Sequence, residues 1–250
     1  MRLRITLNNP QYSAVPLNYQ HHLSALVYSL LADSNAEYAG WLHSRGYSLD
    51  DGPKAFKFFV YSWLRGQNRI EGDDLVFSPG TISWLISSPM REFLEHFATG
   101  LLARGSIRVG GSDFQVTAID AFEDPEFGEQ TRLTCLSPIV CSVKQPDGSA
   151  RYLVPVDGTA FSSAVRANLM HKHKVLMGTP PEDDSLELTF DASYLQRAGG
   201  GTKLISFKNI QIRGAFAPFV ATGSPDLLRI GYATGFGEKN ASGFGMVEVK

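Results

Sequence analysis

The feature that most constrains the fold of this chain is the order in which its hydrophobic pattern changes period. Residues 2–7 alternate apolar and polar side chains, which predicts a strand with one buried face. Apolar side chains then recur at helical spacing over residues 23–31. The capping-box pattern Ser34-Asn-Ala-Glu starts a second, short helix, which Gly46 is expected to end. A strand followed by helical structure is therefore predicted for the first fifty residues.

The rest of the first half completes a recognisable order of elements. Strands are predicted over residues 57–64, 74–78 and 81–86, a helix from Ser88-Pro89 to Gly105, and a strand over residues 107–122. The resulting order β, α, β, β, α, β is that of a ferredoxin-like domain.

The second half repeats this order after an acidic segment at residues 122–129, which reads as a junction. Predicted strands cover residues 131–143, 185–190, 202–219 and 244–249, and predicted helices cover residues 161–176 and 224–230. We therefore expect an α+β protein with two tandem ferredoxin-like (βαββαβ) domains. The first domain would span residues 1–122 and the second residues 130–250.

Composition excludes several classes of protein. With 43% apolar and 19% charged residues, the chain is typical of a globular protein and not of a disordered or fibrous one. The N-terminus lacks the apolar region of a signal peptide, and no stretch approaches the roughly 18 apolar residues of a membrane span, so we expect a cytoplasmic protein that does not enter the membrane. Cys135 and Cys141 fit neither a zinc site nor a disulfide framework and are expected to be buried. The adjacent His21 and His22 have no carboxylate at helical spacing, so they are expected at the surface, and we expect no metal and no cofactor.

The sequence ends on a segment that is dense in glycine, GFGEKNASGFGMV at residues 235–247. Glycine is favoured where the backbone needs positive φ or where another group approaches it closely. A helix-to-strand connection needs one or two glycines, whereas a nest of main-chain N–H groups around a phosphate uses several, and Lys239 adds charge. The segment follows a helix, which excludes a Walker A loop and a dinucleotide fingerprint. The pattern favours contact with a nucleic-acid backbone.

This segment resembles the C-terminal glycine-rich signature of the CRISPR-associated endoribonucleases that cut repeat RNA, within the repeat-associated mysterious protein (RAMP) superfamily. Further similar stretches are residues 16–20 (PLNYQ), 41–43 (WLH) and 136–140 (LSPIV), so the resemblance extends over most of the chain. It implies two tandem ferredoxin-like domains and metal-independent cleavage of precursor CRISPR RNA within its repeats, which produces guide RNAs for antiviral defence. The ribose 2′-hydroxyl would attack the neighbouring phosphorus and leave a 2′,3′-cyclic phosphate and a 5′-hydroxyl.

The resemblance also implies three catalytic residues, His43, Tyr28 and Lys57. His43 lies one turn before Gly46, where the free carbonyl groups of a helix end favour an imidazolium. Tyr28 is at the rim of the apolar stripe of the first helix, and Lys57 can neutralise a phosphate oxygen. Lys54 remains an alternative to Lys57, because the insertion of residues 50–54 departs from the compact form of the motif.

Basic and glycine residues provide the expected RNA contacts. They are Gly235, Gly237, Lys239, Asn240, Gly243 and Gly245, together with Arg229, Lys208 and Arg213, and with Arg2, Arg4 and Lys203 as further candidates for the RNA backbone. The run HKHK at residues 171–174 is consistent with compensation of a helix dipole and with phosphate contact. The expected partners are a CRISPR repeat RNA and other subunits of a CRISPR effector complex, and the chain itself would be a monomer or a homodimer.

Two other functions remain open. A non-catalytic RNA-binding subunit of a CRISPR effector complex would share the fold and the glycine-rich segment, but it would not need His43 with a tyrosine and a lysine nearby. A small-molecule enzyme with a phosphate-binding loop would need a carboxylate or metal constellation, and the sequence shows none.

Overall fold

The computed structural model describes residues 1–49, 55–208 and 210–250. Its helices and strands agree best with the prediction where the hydrophobic periodicity of the sequence is clearest. The strands are β1 Arg2–Asn9, β2 Ser13–Pro16, β3 Val60–Tyr61, β4 Asn68–Glu71, β5 Asp74–Phe77, β6 Gly80–Ser87, β7 Ser106–Val109, β8 Ser112–Phe122, β9 Gln130–Cys135, β10 Ser142–Lys144, β11 Ala150–Tyr152, β12 Leu186–Phe190, β13 Thr202–Phe207, β14 Ile210–Ala215, β15 Phe219–Gly223 and β16 Val247–Val249. The α-helices are α1 Gln20–Ser34, α2 Ala36–Ser44, α3 Arg91–Arg104, α4 Thr159–Met177, α5 Ala192–Arg197 and α6 Pro225–Thr234.

Each half of the chain contains a main antiparallel sheet, and the two main sheets have the same strand order. In the first half the order is β3-β6-β1-β8, extended at one edge by β7, and in the second half it is β12-β15-β9-β16. In both sheets the first strand of the half lies between the third and the fourth, with the second strand at the edge. The helices α1 and α3, and likewise α4 and α6, connect these strands in the order β, α, β, β, α, β. The predicted α+β class and the two ferredoxin-like folds are confirmed.

Two hydrophobic cores form where the helices cover one face of each sheet. In the first half Leu23, Val27 and Leu30 of α1 pack against the strands and α3. The crossing of α1 and α3 is close, because a Cβ added at Gly100 would lie 2.0 Å from the carbonyl oxygen of Leu30. In the second half the apolar stripe of α4, at Phe161, Val165 and Leu169, and the buried residues of α6 pack against β9 and β15.

The two halves share a buried interface. The guanidinium of Arg2 on β1 donates to the carbonyl oxygens of Val247 and Tyr232 at 2.9 and 3.1 Å and lies 3.7 Å from the centre of the Tyr232 ring. Trp63 stacks on Phe216 with ring centres 5.1 Å apart. These contacts set the relative position of the halves and of the surfaces between them.

Several predicted strands are wrong in extent, and each difference has a local cause. The strand predicted over residues 57–64 is reduced to β3, since Phe58 has φ 46° and interrupts the extended chain. The strand predicted over residues 107–122 turns at Gly110 into the hairpin β7–β8. The strand predicted over residues 202–219 is a hairpin, β13–β14, followed by β15.

Two helix starts also differ from the prediction. α3 begins at Arg91 and has Met90 at its N-cap, not Ser88 as predicted: the Ser88 hydroxyl donates to the Phe58 carbonyl and accepts from the Met90 N–H, which precedes the first turn. Asn35, and not Ser34, caps α2 by accepting from the Tyr38 N–H. The predicted cap at Ser224 is confirmed, with Pro225 in the first turn of α6. Within the part of the chain that the structure describes, no helix has the length and apolar character needed to cross a membrane.

Candidate active site

Tyr28 and His43 face each other at the C-terminal end of α2. Tyr28 lies on α1 and His43 in the last turn of α2, and their ring centres are 5.0 Å apart with the planes at 81°. The Tyr28 ring also rests edge-on against Phe59, 5.9 Å away between ring centres. Tyr28 is half-buried, and burial raises the pKa of its hydroxyl to about 12, whereas the His43 side chain is exposed. Tyr28 therefore presents a neutral hydroxyl beside an accessible imidazole.

Lys57 reaches the same place from the following segment. Its ammonium donates to the carbonyl oxygen of His43 at 3.0 Å, and burial lowers its pKa. The lysine side chain passes over Gly46, where an added Cβ would lie 3.1 Å from Nζ and 2.6 Å from the carbonyl oxygen of Phe56. The three candidate catalytic residues therefore lie together. The alternative Lys54 lies outside the described residues.

Lys57 also lines a cleft of about 240 Å³, whereas Tyr28 and His43 lie outside its lining. Residues 55–59 form one wall, residues 238–242 form a second, and Asn168 and Lys172 of α4 form a third. The first wall belongs to one half of the chain and the other two to the other half. Lys57 thus shares a cleft with the glycine-rich segment predicted to contact RNA.

The glycine-rich loop, defined as residues 235–246 between α6 and β16, is built mainly by contacts within the protein. Gly235, Gly237, Gly243 and Gly245 are buried and have φ between 71° and 89°. A Cβ on any of the four would lie 2.1–2.5 Å from a neighbouring atom, for example 2.1 Å from the Phe236 carbonyl oxygen at Gly245.

Several main-chain N–H groups of this loop also have partners inside the protein. Those of Phe236, Glu238, Ser242, Gly243 and Gly245 donate to protein carbonyl oxygens. All four glycines are thus accounted for by packing, contrary to the expectation that a connection would need only one or two. The loop presents an exposed Lys239, with φ 59°, and a half-buried Asn240 toward the cleft.

Lys172 also belongs to this site, although the sequence predicts it as part of a basic run at the end of a helix. Its ammonium is buried and donates to the carbonyl oxygens of Gly235 and Gly237 at 2.6 and 3.2 Å and to Asn240 Oδ1 at 2.7 Å. Burial lowers its pKa to about 7, against the attraction of Cys141 and Glu238. The prediction that the run at residues 171–174 contacts phosphate is therefore wrong for Lys172. Lys174 is exposed in the last turn of α4, as compensation of the helix dipole requires. The sequence does contain a signal for this burial, because the spacing of Lys172 from Phe161, Val165 and Leu169 puts it on the apolar stripe of the helix.

The other basic candidates lie on several elements. Lys203, Lys208 and Arg213 are exposed on the hairpin β13–β14, and Arg213 donates to Thr202 Oγ1 at 3.2 Å. The hairpin packs its buried Ile205 and Ile212 in a cluster with Phe244 of the glycine-rich loop. The hairpin therefore adjoins the loop through these apolar residues, whereas Arg213, next to Ile212 on β14, lies on the opposite face of the hairpin.

The remaining arginines differ from one another in exposure. Arg229 on α6 is exposed and forms an ion pair with Asp226 at 2.6 Å. The Arg4 guanidinium lies 4.6 Å from the centre of the Phe122 ring and is exposed. Arg2 as a contact to the RNA backbone is wrong, because its guanidinium is buried between the halves.

The histidine pair and the cysteines take no part in this cleft. His21 and His22 are half-buried with ring centres 3.9 Å apart, and His21 Nδ1 lies 2.9 Å from the Asn18 carbonyl oxygen. Within residues 1–49, 55–208 and 210–250, no group of three His, Cys, Asp or Glu side chains is placed to hold a metal ion. The predicted burial of Cys135 and Cys141 is confirmed.

Comparisons with known proteins cover the whole chain. Residues 14–120 match the family model for the CRISPR-associated protein Cas6 N-terminal region, and residues 122–249 match that for the Cas6 C-terminal region. The CRISPR-associated endoribonuclease Cas6 1 of Methanocaldococcus jannaschii is 30% identical, over 99% of this chain and 92% of its own length. The CRISPR-associated endoribonuclease Cas6 of Pyrococcus furiosus is 29% identical, over 94% of this chain and 84% of its own length.

A solved structure described as an RAMP protein binding different RNA substrates has the same fold. Its TM-score is 0.81 at 24% identity, and the alignment covers 100% of this chain and 99% of that one. The tandem arrangement of two ferredoxin-like folds is therefore shared over the full length of both chains.

Proposed function

The chain belongs to the CRISPR-associated Cas6 family of endoribonucleases, within the RAMP superfamily, and from this premise we propose that it cuts precursor CRISPR RNA within its repeats without a metal ion. The observation that carries the proposal is the convergence of Tyr28, His43 and Lys57, of which Lys57 shares a cleft with the glycine-rich loop. The catalytic groups would come from residues 1–122 and the loop from residues 130–250. The products would be guide RNAs, made in the cytoplasm where the precursor is transcribed.

The chemistry we propose is attack of the ribose 2′-hydroxyl on the adjacent phosphorus. The bond from phosphorus to the 5′-oxygen breaks, which leaves a 2′,3′-cyclic phosphate and a 5′-hydroxyl. The 2′-oxygen loses a proton and the 5′-oxygen gains one, and imidazole groups exchange protons in this way near neutral pH. We assign this proton transfer to His43, whose side chain is exposed.

Tyr28 and Lys57 would stabilise the transition state. The Tyr28 hydroxyl remains protonated at neutral pH, since its pKa is about 12, and it can donate to an oxygen of the phosphorane. The Lys57 ammonium has three N–H donors, of which one is directed to the His43 carbonyl. Among the residues that the structure describes, the other two have no hydrogen-bond partner and would donate to a non-bridging phosphate oxygen.

We propose that the RNA backbone follows the exposed cations around this cleft. Lys239 of the glycine-rich loop and Lys208 and Arg213 of the adjoining hairpin are exposed and would contact phosphates. The four buried glycines would contribute by shaping the loop, and Asn240 by holding it. Arg229 is a weaker candidate, because its charge is already paired with Asp226.

The test is cleavage of a repeat RNA in EDTA by the wild type and by His43→Ala, with a second RNA that carries a single 2′-deoxy sugar at the cut site. We expect the wild type to cut without metal, the deoxy RNA to resist, and His43→Ala to bind RNA but to cut about 10²–10⁴-fold more slowly. Glu37→Ala, an exposed change on the same helix, is the matched control and should cut like the wild type. RNA that is bound tightly and never cut by the wild type would identify a non-catalytic RNA-binding subunit instead.

A further inference from the structure

We propose that Lys172 is a positioning residue, whose ammonium group holds the glycine-rich loop in the form required for RNA cleavage. The part of this inference that concerns cleavage rests on the proposed function. The part that concerns the loop rests on the contacts of Lys172 alone. The two parts can therefore be tested separately.

The N–H donors of the Lys172 ammonium match the oxygen acceptors of the loop in number and direction. A lysine ammonium has three N–H donors and no acceptor. Lys172 directs them to the Gly235 and Gly237 carbonyl oxygens and to Asn240 Oδ1, all within 3.2 Å. One cation thus joins the first turn of the loop to its middle.

The cation is held at a site that disfavours charge. Lys172 is 1% exposed. A buried ammonium keeps its charge only where polar groups replace the hydrogen bonds that it would make with water. The Glu238 carboxylate attracts the ammonium but accepts hydrogen bonds from the Ser142 N–H and hydroxyl. The three loop oxygens therefore supply the direct partners, and a side chain of similar shape without N–H donors would leave them unpaired.

The contact at Asn240 extends toward the catalytic groups. Asn240 Nδ2 donates to the Phe244 carbonyl oxygen at 2.9 Å, which closes the loop on itself. The next residue, Ala241, accepts from the Ser24 hydroxyl at 3.2 Å, and Ser24 lies one turn before Tyr28 on α1. A loop that loses Lys172 would thus release a contact to the helix that carries Tyr28 and would change the wall of the cleft that faces Lys57.

The experiment compares Lys172→Met with Lys144→Met, which removes the same charge from an exposed position on β10. We expect faster amide hydrogen exchange in residues 235–246 of Lys172→Met and unchanged exchange in Lys144→Met. In single-turnover assays the cleavage rate of Lys172→Met should fall on the order of 10- to 100-fold, because small displacements of reacting groups have effects of this size. Its affinity for an uncleavable 2′-deoxy repeat RNA should change by less than about threefold, so that the loss is in the chemical step.

Equal exchange in the two variants would overturn the positioning of the loop, and equal cleavage rates would overturn its role in cleavage. If the wild type does not cut RNA, the proposed function fails, whereas the exchange comparison still decides the role of Lys172 in the loop.

A second measurement needs no variant and applies if Lys172→Met does not fold. Loop protection in the wild type, corrected for intrinsic exchange, should fall as pH rises through about 7, because the neutral amine has only two N–H donors for three acceptors. The charged and titratable groups around Lys172 are Cys141 and Glu238, with Lys57 and Lys239 along the cleft and His171 and His173 on its own helix. Constant protection of the loop between pH 6 and 9, about one unit below and two above the pKa, would overturn the proposal.

Discussion

At the scale of single residues, Tyr28 shows how burial affects a polar group. The same burial that packs its ring against Phe59 raises its hydroxyl pKa to about 12, so that ionisation of a group already neutral at pH 7 is disfavoured further. His43, one ring contact away, is exposed. The pair thus places a neutral hydroxyl beside an imidazole that is open to solvent.

We predict that Tyr28→Phe will lower the single-turnover cleavage rate on the order of 10²-fold, because the ring contacts remain and only the hydroxyl is lost. RNA affinity and the melting temperature should stay close to those of the wild type. Tyr12→Phe is the control, since Tyr12 is 61% exposed. A Tyr28→Phe protein that cuts at the wild-type rate would remove Tyr28 from the mechanism.

At the scale of elements, the glycine-rich loop is a packed connection between α6 and β16. Its glycines combine two requirements, positive φ and close approach by neighbouring atoms, and either one disfavours a side chain. Gly243, for example, has its Cα hydrogen directed at the ring of Tyr61, which a Cβ would approach to 2.5 Å. The loop is thus a closely packed connection, from which the Lys239 side chain is exposed.

We predict that Gly245→Ala will lower the free energy of unfolding by about 2–5 kcal/mol, the sum of a positive-φ cost and an overpacking cost. Gly148→Ala is the matched control, because Gly148 has φ 84° against 85° at Gly245 but has no atom within 4 Å of an added Cβ. It should lose only about 1–2 kcal/mol. Urea denaturation measures both variants. Equal losses would mean that the close contact at Gly245 contributes nothing.

At the scale of the whole molecule, Arg2 connects the first strand of the chain to its last. It lies on β1 and donates to the carbonyl of Val247 on β16 and to that of Tyr232 on α6. Its guanidinium also stacks on the Tyr232 ring, and this cation–π contact partly replaces the interaction of the buried charge with water. The cleft with Lys57 on one side and Lys239 on the other depends on this interface, because its walls come from different halves.

We predict that Arg2→Met will lower the free energy of unfolding by about 2–4 kcal/mol, because two buried carbonyl groups lose a charged donor. Arg4→Met, on the same strand but exposed, should change it by less than about 0.5 kcal/mol. The salt dependence of RNA binding should be unchanged in folded Arg2→Met, since a guanidinium buried between the halves releases no counterion from RNA. A reduced salt slope would restore Arg2 as a phosphate contact.

The sequence by itself determined the order and type of the main elements and pointed to the site. The two-residue period of β1 and the helical period of α1 are local properties of the chain, since each residue's face follows from its own backbone geometry. The cap at Ser224 and the positive φ of the loop glycines are local in the same sense. Even here, the alternation predicts single strands where the chain turns back at Gly110 and at Lys208, because a period of two does not show where a hairpin turns.

Only the tertiary structure decided what each polar group contacts. Lys57 meets the carbonyl of His43, fourteen residues earlier, and Lys172 meets Asn240, sixty-eight residues later. The glycines that suggested an open anion nest instead admit Tyr61 and neighbouring carbonyl oxygens, and Arg2 is enclosed by the second half. The physical reason is that burial and hydrogen-bond pairing arise from the packing of distant segments, whereas periodicity and backbone preference arise from adjacent residues.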